Sequence, residues 1–417
     1  MATAETWLGG AARERLRALT EDPTAAWAAA VEAGARSDRL TSDALICEAT
    51  AGGLRFVCIS DTHGKHFAFP ELPAGDVLIH AGDFSRRGGP DEMIDFANYL
   101  SKAAAKFKQV IVVSGNHELT LDPAMAERSG CFREGSSATG KGGSALDSPE
   151  AVVRLLRQHC LFVSGHAVDL PVSLAAAPLM PSRKEMRKAT RGGARPGPDS
   201  YRFVEAGLAA PGVVVHEPPP GSAGATQYGP EASAAPRPPA SAEAAAVPAA
   251  GAAAAAAAAD PPPAAPAGIP PKPEGYIRVT GYPHQPLFCG WAFNVPRGEP
   301  IAKIWREIPS DTDVLITHGP PLGQGDRCWR GNRAGCVDLL LAVTGRIKPA
   351  VHVFGHIHED PGISTDGTTA YINAAAVNLR YGPANPPICF QLPLPAAALA
   401  GGKPDTADFP VVARRAT

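Results

Sequence analysis

The sequence carries no surplus of either charge: 39 Lys and Arg stand against 41 Asp and Glu, a formal net charge of -2. Nucleic-acid binders generally show a basic excess or stripe, so a general nucleic-acid footprint is not expected. No stretch approaches the roughly 18 apolar residues of a membrane helix. The longest uniform run, Ala252 to Ala259, is too short and too weakly hydrophobic to span a bilayer. The opening MATAETWLGGAARERLRALTED has no basic region followed by an apolar one, so no secretory leader and no membrane association are expected. Eight cysteines are scattered singly with no Cys-x-x-Cys pair, which argues against a zinc finger or a disulfide scaffold. Reduced, buried thiols and a cytoplasmic location are the expectation. A Gly-x-Ser-x-Gly elbow is also missing, leaving a serine hydrolase without support.

Glycine and proline are abundant, 43 of each in 417 residues, and they are unevenly spread. Between 211 and 270, 14 Pro and 23 Ala make up 37 of 60 positions. Such a segment buries too little apolar surface to offset its ordering entropy. Residues 171–274 are therefore expected to form a disordered Ala/Pro-rich insertion, an arm suited to a protein partner. Within it, residues 181–196 carry six basic side chains and one acid, expected to be a solvated loop. Residues 1–53 read as an N-terminal extension with two short helices, near Ala11–Ala18 and Thr24–Ala33. Residues 394–417 read as a tail. What remains, 54–170 and 275–393, is sized for one two-sheet domain.

The grammar of that remainder is α/β. LRFVCIS, DVLIHAGD and QVIVVSGNHE are apolar strands, and PDEMIDFANYLSKAAAKF is a helix with Pro90 near its first position and acids in its first turn. IRVTGY, WAFNV, DVLITHG, AVHVFGHIH, AYINAAAV and ICFQL read as further strands, and GEPIAKIWREI and CVDLLLAVTGRI as helices. Continuous apolar strands are expected to be covered on both faces. Several end in the same kind of residue: Asp61-Thr62-His63, Gly82-Asp83, Gly115-Asn116-His117-Glu118, Thr317-His318-Gly319 and Gly355-His356-Ile357-His358. Ligand sites in α/β sheets gather at the carboxyl ends of strands, so these clusters are expected to converge.

Asp, Asn and His without thiolate suit first-row ions such as Mn, Fe, Zn or Ni. So many donors are too many for one ion with an open position, and suit two divalent ions sharing a carboxylate. Two ions about 3.5–4 Å apart can clamp the attacking and leaving oxygens of a phosphoryl displacement.

In order and type, these motifs resemble the calcineurin-like metallophosphoesterase superfamily, whose pattern is D-x-H, G-D, G-N-H-[ED], H and G-H-x-H. The segments GDFSRRGG, GNHELTLD, TGYPHQPLFCGWAFN, LITHGPPLGQGD and FGHIHEDPG are most similar to its metallophosphoesterase-domain-containing (239AB-like) branch. The resemblance spans about residues 54–393. It implies a four-layer αββα sandwich with two mixed β-sheets. It places one metal on Asp61, His63 and His358, a second on Asn116, His318 and His356, and Asp83 between them. His117 matches the histidine that stands beside the metals and protonates the leaving oxygen. The implied reaction is hydrolysis of a small phosphate ester by a metal-bridging hydroxide, with a phosphodiester such as a cyclic nucleotide favoured. The alternatives are a phosphomonoesterase or nucleotide pyrophosphatase on the same scaffold, or a non-catalytic metal-stabilised interaction module.

Other residues take plainer readings. His80 and His352 sit inside apolar runs and are expected to be structural. His66 is expected in a surface loop, and Glu118 to hydrogen-bond locally rather than act as a base. Asp326 is a carboxylate expected near the site. Arg86 and Arg87 fit either a phosphate contact or a solvated loop. Gly135 to Lys141 imitates a nucleotide P-loop but lacks the following Ser or Thr, and is expected to be a loop.

Overall fold

The computed structural model describes residues 9–40, 53–69, 71–130, 148–177, 202–204, 207–218, 269–393 and 412–415, with isolated positions at 146, 179–180 and 222. The P-loop-like segment 135–141, the basic run 181–196 and the polyalanine stretch lie outside them.

Two eight-stranded mixed sheets carry the fold. The first contains β2 (Gly53–Ile59), β3 (Val77–His80), β4 (Gln109–Val112) and β5 (Leu161–Phe162), all parallel to one another. The second contains β10 (Tyr276–Tyr282), β13 (Val314–Thr317), β14 (Val351–Phe354) and β16 (Ala370–Asn373), also parallel. Antiparallel strands close the margins. On the first sheet these are β17 (Ile388–Pro393) against β2, then β18 (Val412–Arg415), and on the far side β8 (Gly207–Ala209) and β7 (Arg202–Val204). On the second they are β6 (Ala167–Pro171) and β9 (Val214–His216) at one side, β15 (Gly362–Thr365) and β1 (Asp38–Leu40) at the other.

Strand alternation sorts the apolar side chains into layers. Phe56, Cys58, Ile79 and Ile111 of the first sheet meet Val279, Ile316, Val353 and Ile372 of the second in one buried core. Val57, Leu78, Val110 and Val112 point the other way, onto Met93, Phe96 and Leu100 of helix α3 (Pro90–Ala103) and Val152 and Leu156 of α5 (Pro149–Arg157). The second sheet is covered by α6 (Glu299–Arg306) and α7 (Val337–Ala342), through Ile301, Trp305 and Leu339. The order helix, sheet, sheet, helix is the expected four-layer sandwich. A short α4 (Pro123–Ser129) follows the third motif, and β11 (Gln285–Pro286) and β12 (Asn294–Val295) pair in a small two-stranded parallel sheet.

Three expectations need correction. The insertion does not begin at 171: β7, β8 and β9 lie within 171–274 and extend both sheets, with Leu174, Leu208 and Val213 fully or almost fully buried. Their short runs sit among Pro, Ala and Gly, so composition hid them. The N-terminal extension is part of the fold, since helices α1 (Gly10–Ala18) and α2 (Pro23–Glu32) bury Leu16, Ala26 and Ala30 against Val337 and Leu340, and β1 pairs with β15. The cysteines are not uniformly buried: Cys58, Cys160, Cys336 and Cys389 are, while Cys289 is exposed and Cys328 half-buried.

Candidate metal centre

All the motif-bearing strands of each sheet are parallel, so their carboxyl ends reach one edge of the sandwich. The structure brings every predicted site residue to that edge. Asp61 and His63 follow β2, Asp83 follows β3, and Asn116 and His117 follow β4. From the facing sheet, His318 follows β13, and His356 and His358 follow β14. Asp61, His63, Asp83 and His356 hold left-handed backbone, with φ of 53°, 43°, 54° and 67°. Such strain clusters where a tight turn must aim a functional side chain.

Donor atoms gather in three overlapping groups, each within 4.8 Å: Asp61 with His63 and His358, Asp83 with His318 and His356, and His63 with Asp83 and His117. The His63 and His358 Nε2 atoms lie 3.2 Å apart. His358 Nε2 is 3.2 Å from Asp61 Oδ1. His318 Nε2 is 2.9 Å from Asn116 Oδ1 and 3.3 Å from Asp83 Oδ2. Asp83 thus stands between the two clusters.

Backbone carbonyls set the tautomers. His63 Nδ1 donates to Ser85 O at 3.2 Å, and His318 Nδ1 donates to Ala81 O at 3.0 Å. A carbonyl only accepts, so the Nδ1 atoms carry protons and both Nε2 atoms face the centre. His117 is arranged likewise: its Nδ1 donates to Arg86 O at 2.7 Å, leaving Nε2 3.9 Å from Asp83 Oδ2.

Asp61 and Asp83 are 0 % and 2 % exposed, and among the described residues no Lys or Arg pairs with either. Burial pushes both carboxyls up, but His358 beside Asp61, and His318 and His117 beside Asp83, outweigh it and hold both below the ordinary range. Burial pushes His318 down, yet Asp83 and Asp61 lift it to about 9. His358 is also raised, burial being outweighed by Asp61. Two buried carboxylates thus draw protons onto neighbouring imidazoles for want of other positive charge. His63 and His356 are depressed by burial to about 4 and about 3 and stay neutral. Imidazole nitrogen, carboxylate oxygen and amide oxygen are donors that suit divalent ions, so this donor set fits such a metal once His318 and His358 give up their extra protons.

Surrounding residues hold the ligand loops. Glu118 accepts from Asp83 N at 2.9 Å, Ser85 N at 2.9 Å, Ser85 Oγ at 2.7 Å and Gly115 N at 2.7 Å, tying the second motif to the third. It is a local clamp, as expected. Burial and the Asp83 charge raise its carboxyl to about 8, against the hydrogen bonds from Ser85 and Gly115. His80 Nε2 and Thr62 Oγ1 bond at 3.1 Å, and His352 Nε2 and Thr317 Oγ1 at 2.8 Å. Both histidines are fully buried and each braces a residue next to a ligand. The loop after Asp83 is gripped by Glu92 of α3, which accepts from Arg86 N and Arg87 N at 3.0 Å each.

His66 is corrected: it is buried, bonds Asp95 at 3.1 Å and packs on Phe96 and Tyr99. Asp326 pairs with Arg333 at 2.5 Å and Gly335 N at 3.0 Å, holding its own loop rather than a ligand. Three aromatic residues at the centre were not anticipated. Trp291 stacks on His117 at 4.2 Å, Tyr381 stands over His63 at 4.7 Å, and Phe288 meets His356 at 5.6 Å. Phe288 and Trp291 lie within the TGYPHQPLFCGWAFN segment, but no spacing rule linked them to the ligands; Tyr381 lay outside every motif.

The calcineurin-like phosphoesterase family matches residues 54–168. The chain is 31 % identical over 347 residues to human metallophosphoesterase domain-containing protein 1, covering 82 % of this chain and 72 % of that one. The mouse protein of the same name matches to the same extent. A UPF0046 protein of Caenorhabditis elegans is 29 % identical over 383 residues, covering 91 % of this chain and 70 % of its own. Among the described residues no helix is long and apolar enough to cross a membrane. The chain belongs to the calcineurin-like phosphoesterase superfamily, in its metallophosphoesterase-domain-containing branch.

Proposed function

We propose that the protein is a metal-dependent phosphoric ester hydrolase with a dinuclear centre, and that it acts on small phosphodiesters. Family membership supports a metal-dependent phosphoesterase. The observation that carries the dinuclear reading is Asp83, a buried carboxylate within reach of both His63 and His318. Asp61, His63 and His358 would hold one ion, Asn116, His318 and His356 the other, and Asp83 both. The ions, when bound, supply positive charge for the phosphoryl oxygens and an acidified water molecule.

The chain's own residues do the rest. Asp61 and Asp83 enter the reaction ionised, because the imidazoles around them favour that state. The Ala81 and Ser85 carbonyls hold His318 and His63 in the orientation that keeps Nε2 toward the centre. His117 has its Nδ1 proton committed to Arg86 O, so the proton it hands over leaves from Nε2. Transfer from there to the departing alkoxide would contribute about 10²–10⁴-fold. Trp291 backs the His117 ring and limits its rotation. The preference for a diester rests on the likeness of the GDFSRRGG and GNHELTLD segments to the branch.

Purified protein supplied with Mn²⁺ should hydrolyse bis(4-nitrophenyl) phosphate faster than 4-nitrophenyl phosphate. Asp83→Ala and His117→Ala should each remove most of that turnover. Equal rates in wild type and both variants would mark a contaminant and sink the reading.

A further inference from the structure

The loops that carry the second sheet's ligands have little structure of their own. Residues 318–336 join β13 to α7 with no helix or strand, only the isolated bridges Pro321–Cys336 and Arg327–Arg333. Residues 355–361 join β14 to β15, also without helix or strand. His318 opens the first loop, and His356 and His358 lie in the second. A connection as long as the first keeps one shape only where something packed on it offsets its ordering entropy.

The N-terminal segment 24–39 packs on both loops, although it lies outside the family match at 54–168 and outside every ligand motif. Trp27 of α2 fits against Gly323, where a β-carbon would lie 2.0 Å from the indole ring. Gly323 also takes φ of 85°, which suits glycine. Arg333 of the same loop sets its guanidinium 4.9 Å from the Trp27 ring centre, and its N donates to Thr24 Oγ1 at 3.0 Å. Ser37 Oγ donates to Gln324 Oε1 at 2.9 Å, and Gln324 Nε2 donates back to Arg36 O at 2.9 Å.

The end of the segment reaches the second loop. Arg39 pairs with the Asp360 carboxylate and donates to Pro361 O at 3.2 Å. Asp360 stands two residues past His358, and its other oxygen accepts from Arg327 N at 3.0 Å. Asn373 ties the two loops once more. Its Nδ2 donates to Gly325 O at 2.9 Å and to Ile357 O at 2.8 Å, the carbonyl between the two histidines. A continuous set of contacts thus runs from Trp27 and Ser37, through 323–327, to the turn that aims His356 and His358.

We infer that residues 24–39 are a positioning brace for the metal centre, in which Trp27 and Arg39 fix the turn bearing His356 and His358 and raise the affinity of the centre for its metal. The inference rests on the metal-centre reading above. Groups that orient a ligand without binding the ion govern affinity, because a ligand already in place loses less freedom when the ion arrives. Trp27 acts through the 323–327 stretch and Arg39 through Asp360.

Metal-free full-length protein, Trp27→Ala and Arg39→Ala are titrated with Mn²⁺ by calorimetry, and amide hydrogen exchange is followed at 319–326 and 355–361 without metal. Each alanine variant should bind Mn²⁺ about tenfold more weakly, the scale on which loss of a residue supporting a ligand acts. Exchange should quicken in both loops. Trp27→Phe and Arg39→Lys should restore most of the affinity. Arg15→Ala, which breaks an exposed pair with Glu32 on the same helices, should change neither readout. The Arg39 side chain is half-exposed, so its variant keeps the fold even where Trp27→Ala does not. A lower melting temperature with Mn²⁺ affinity unchanged in Arg39→Ala would overturn the brace. A wild type that takes up no Mn²⁺, while its alanine variants still lose protection in both loops, would overturn the metal-centre reading and leave the brace standing.

Discussion

A β-carbon at Gly355 would lie 1.9 Å from Asp61 Oδ2 and 2.2 Å from Ser60 Oγ. The glycine therefore lets β14 of one sheet deliver its histidines against the carboxylate that follows β2 of the other. Asp61 is fixed there by His356 N, which donates to Oδ1 and Oδ2 at 3.1 and 3.0 Å. Gly355→Ala should displace Asp61 and lower bound metal in elemental analysis. An overpacking loss of about 1–3 kcal/mol should accompany it in urea unfolding. Full metal content in a folded Gly355→Ala protein would contradict the packing argument.

Glu118 makes a second test. Its carboxylate accepts from Asp83 N, Ser85 N, Ser85 Oγ and Gly115 N. Glu118→Gln keeps the shape but turns an amide NH₂ toward backbone donors, leaving one unsatisfied at a cost of about 1–3 kcal/mol. Melting temperature and kcat should both fall, with the pH–rate profile unmoved. A displaced acidic limb of that profile would instead assign Glu118 a proton-transfer role.

The metal-free protein should be acid-labile. Burial depresses His80 and His352 to about 3, and His284 to about 4, whereas an unfolded histidine titrates near 6.5. Between those limits the unfolded chain binds more protons than the folded one. The stability these groups contribute is complete above about 6.5 and is lost as pH falls toward their folded values. Urea unfolding at pH 5 should show a loss of about 2 kcal/mol per histidine relative to pH 7.5. His352→Gln should flatten that slope.

His318 has the opposite sign. Its folded value is near 9, so between about 6.5 and 9 the metal-free protein binds more protons folded than unfolded. That contribution is complete below about 6.5 and disappears as pH rises through about 9. A metal ion on Nε2 must expel this proton. Adding Mn²⁺ to unbuffered metal-free protein at pH 7 should release protons, and apparent affinity should rise with pH. His318→Asn should reduce the proton release by about one per chain. Metal uptake without proton release would show that the ion does not bind there.

Strand positions define which deletion the fold tolerates. Replacing residues 223–268 by a short Gly/Ser linker removes no described strand, and loop closure changes slowly with length. Metal content and turnover should survive. A deletion beginning at 175 also takes β7, β8 and β9 and exposes the margins of both sheets. It should give insoluble or metal-poor protein. Equal behaviour of the two deletions would mean that those strands do not stabilise the sandwich.

Elements with a regular apolar period, such as β2, β3, β4, β13 and β14, could be read along the chain, and so could α3 with Pro90 at its start. The three-residue strands β1, β7, β8 and β9 could not. β8 and β9 lie among Pro, Ala and Gly and exist because an open sheet margin offers them hydrogen bonds. Chemistry followed the same division. Asp61, His63, Asp83, Asn116, His117, His318, His356 and His358 are identifiable from residue type and from their places just past strand ends, because a parallel sheet must deliver those ends to one edge. Which imidazole nitrogen faces the centre depends on the carbonyls of Ala81 and Ser85. The grip on the second and third motifs depends on where Glu118 folds back, and the aromatic rim depends on two turns, around Phe288 and Tyr381, that are remote from the ligands in sequence. Local composition sets the first kind of fact through periodicity and donor chemistry. The second kind arises from contacts between residues far apart in the chain, which only the packed sandwich brings within bonding distance.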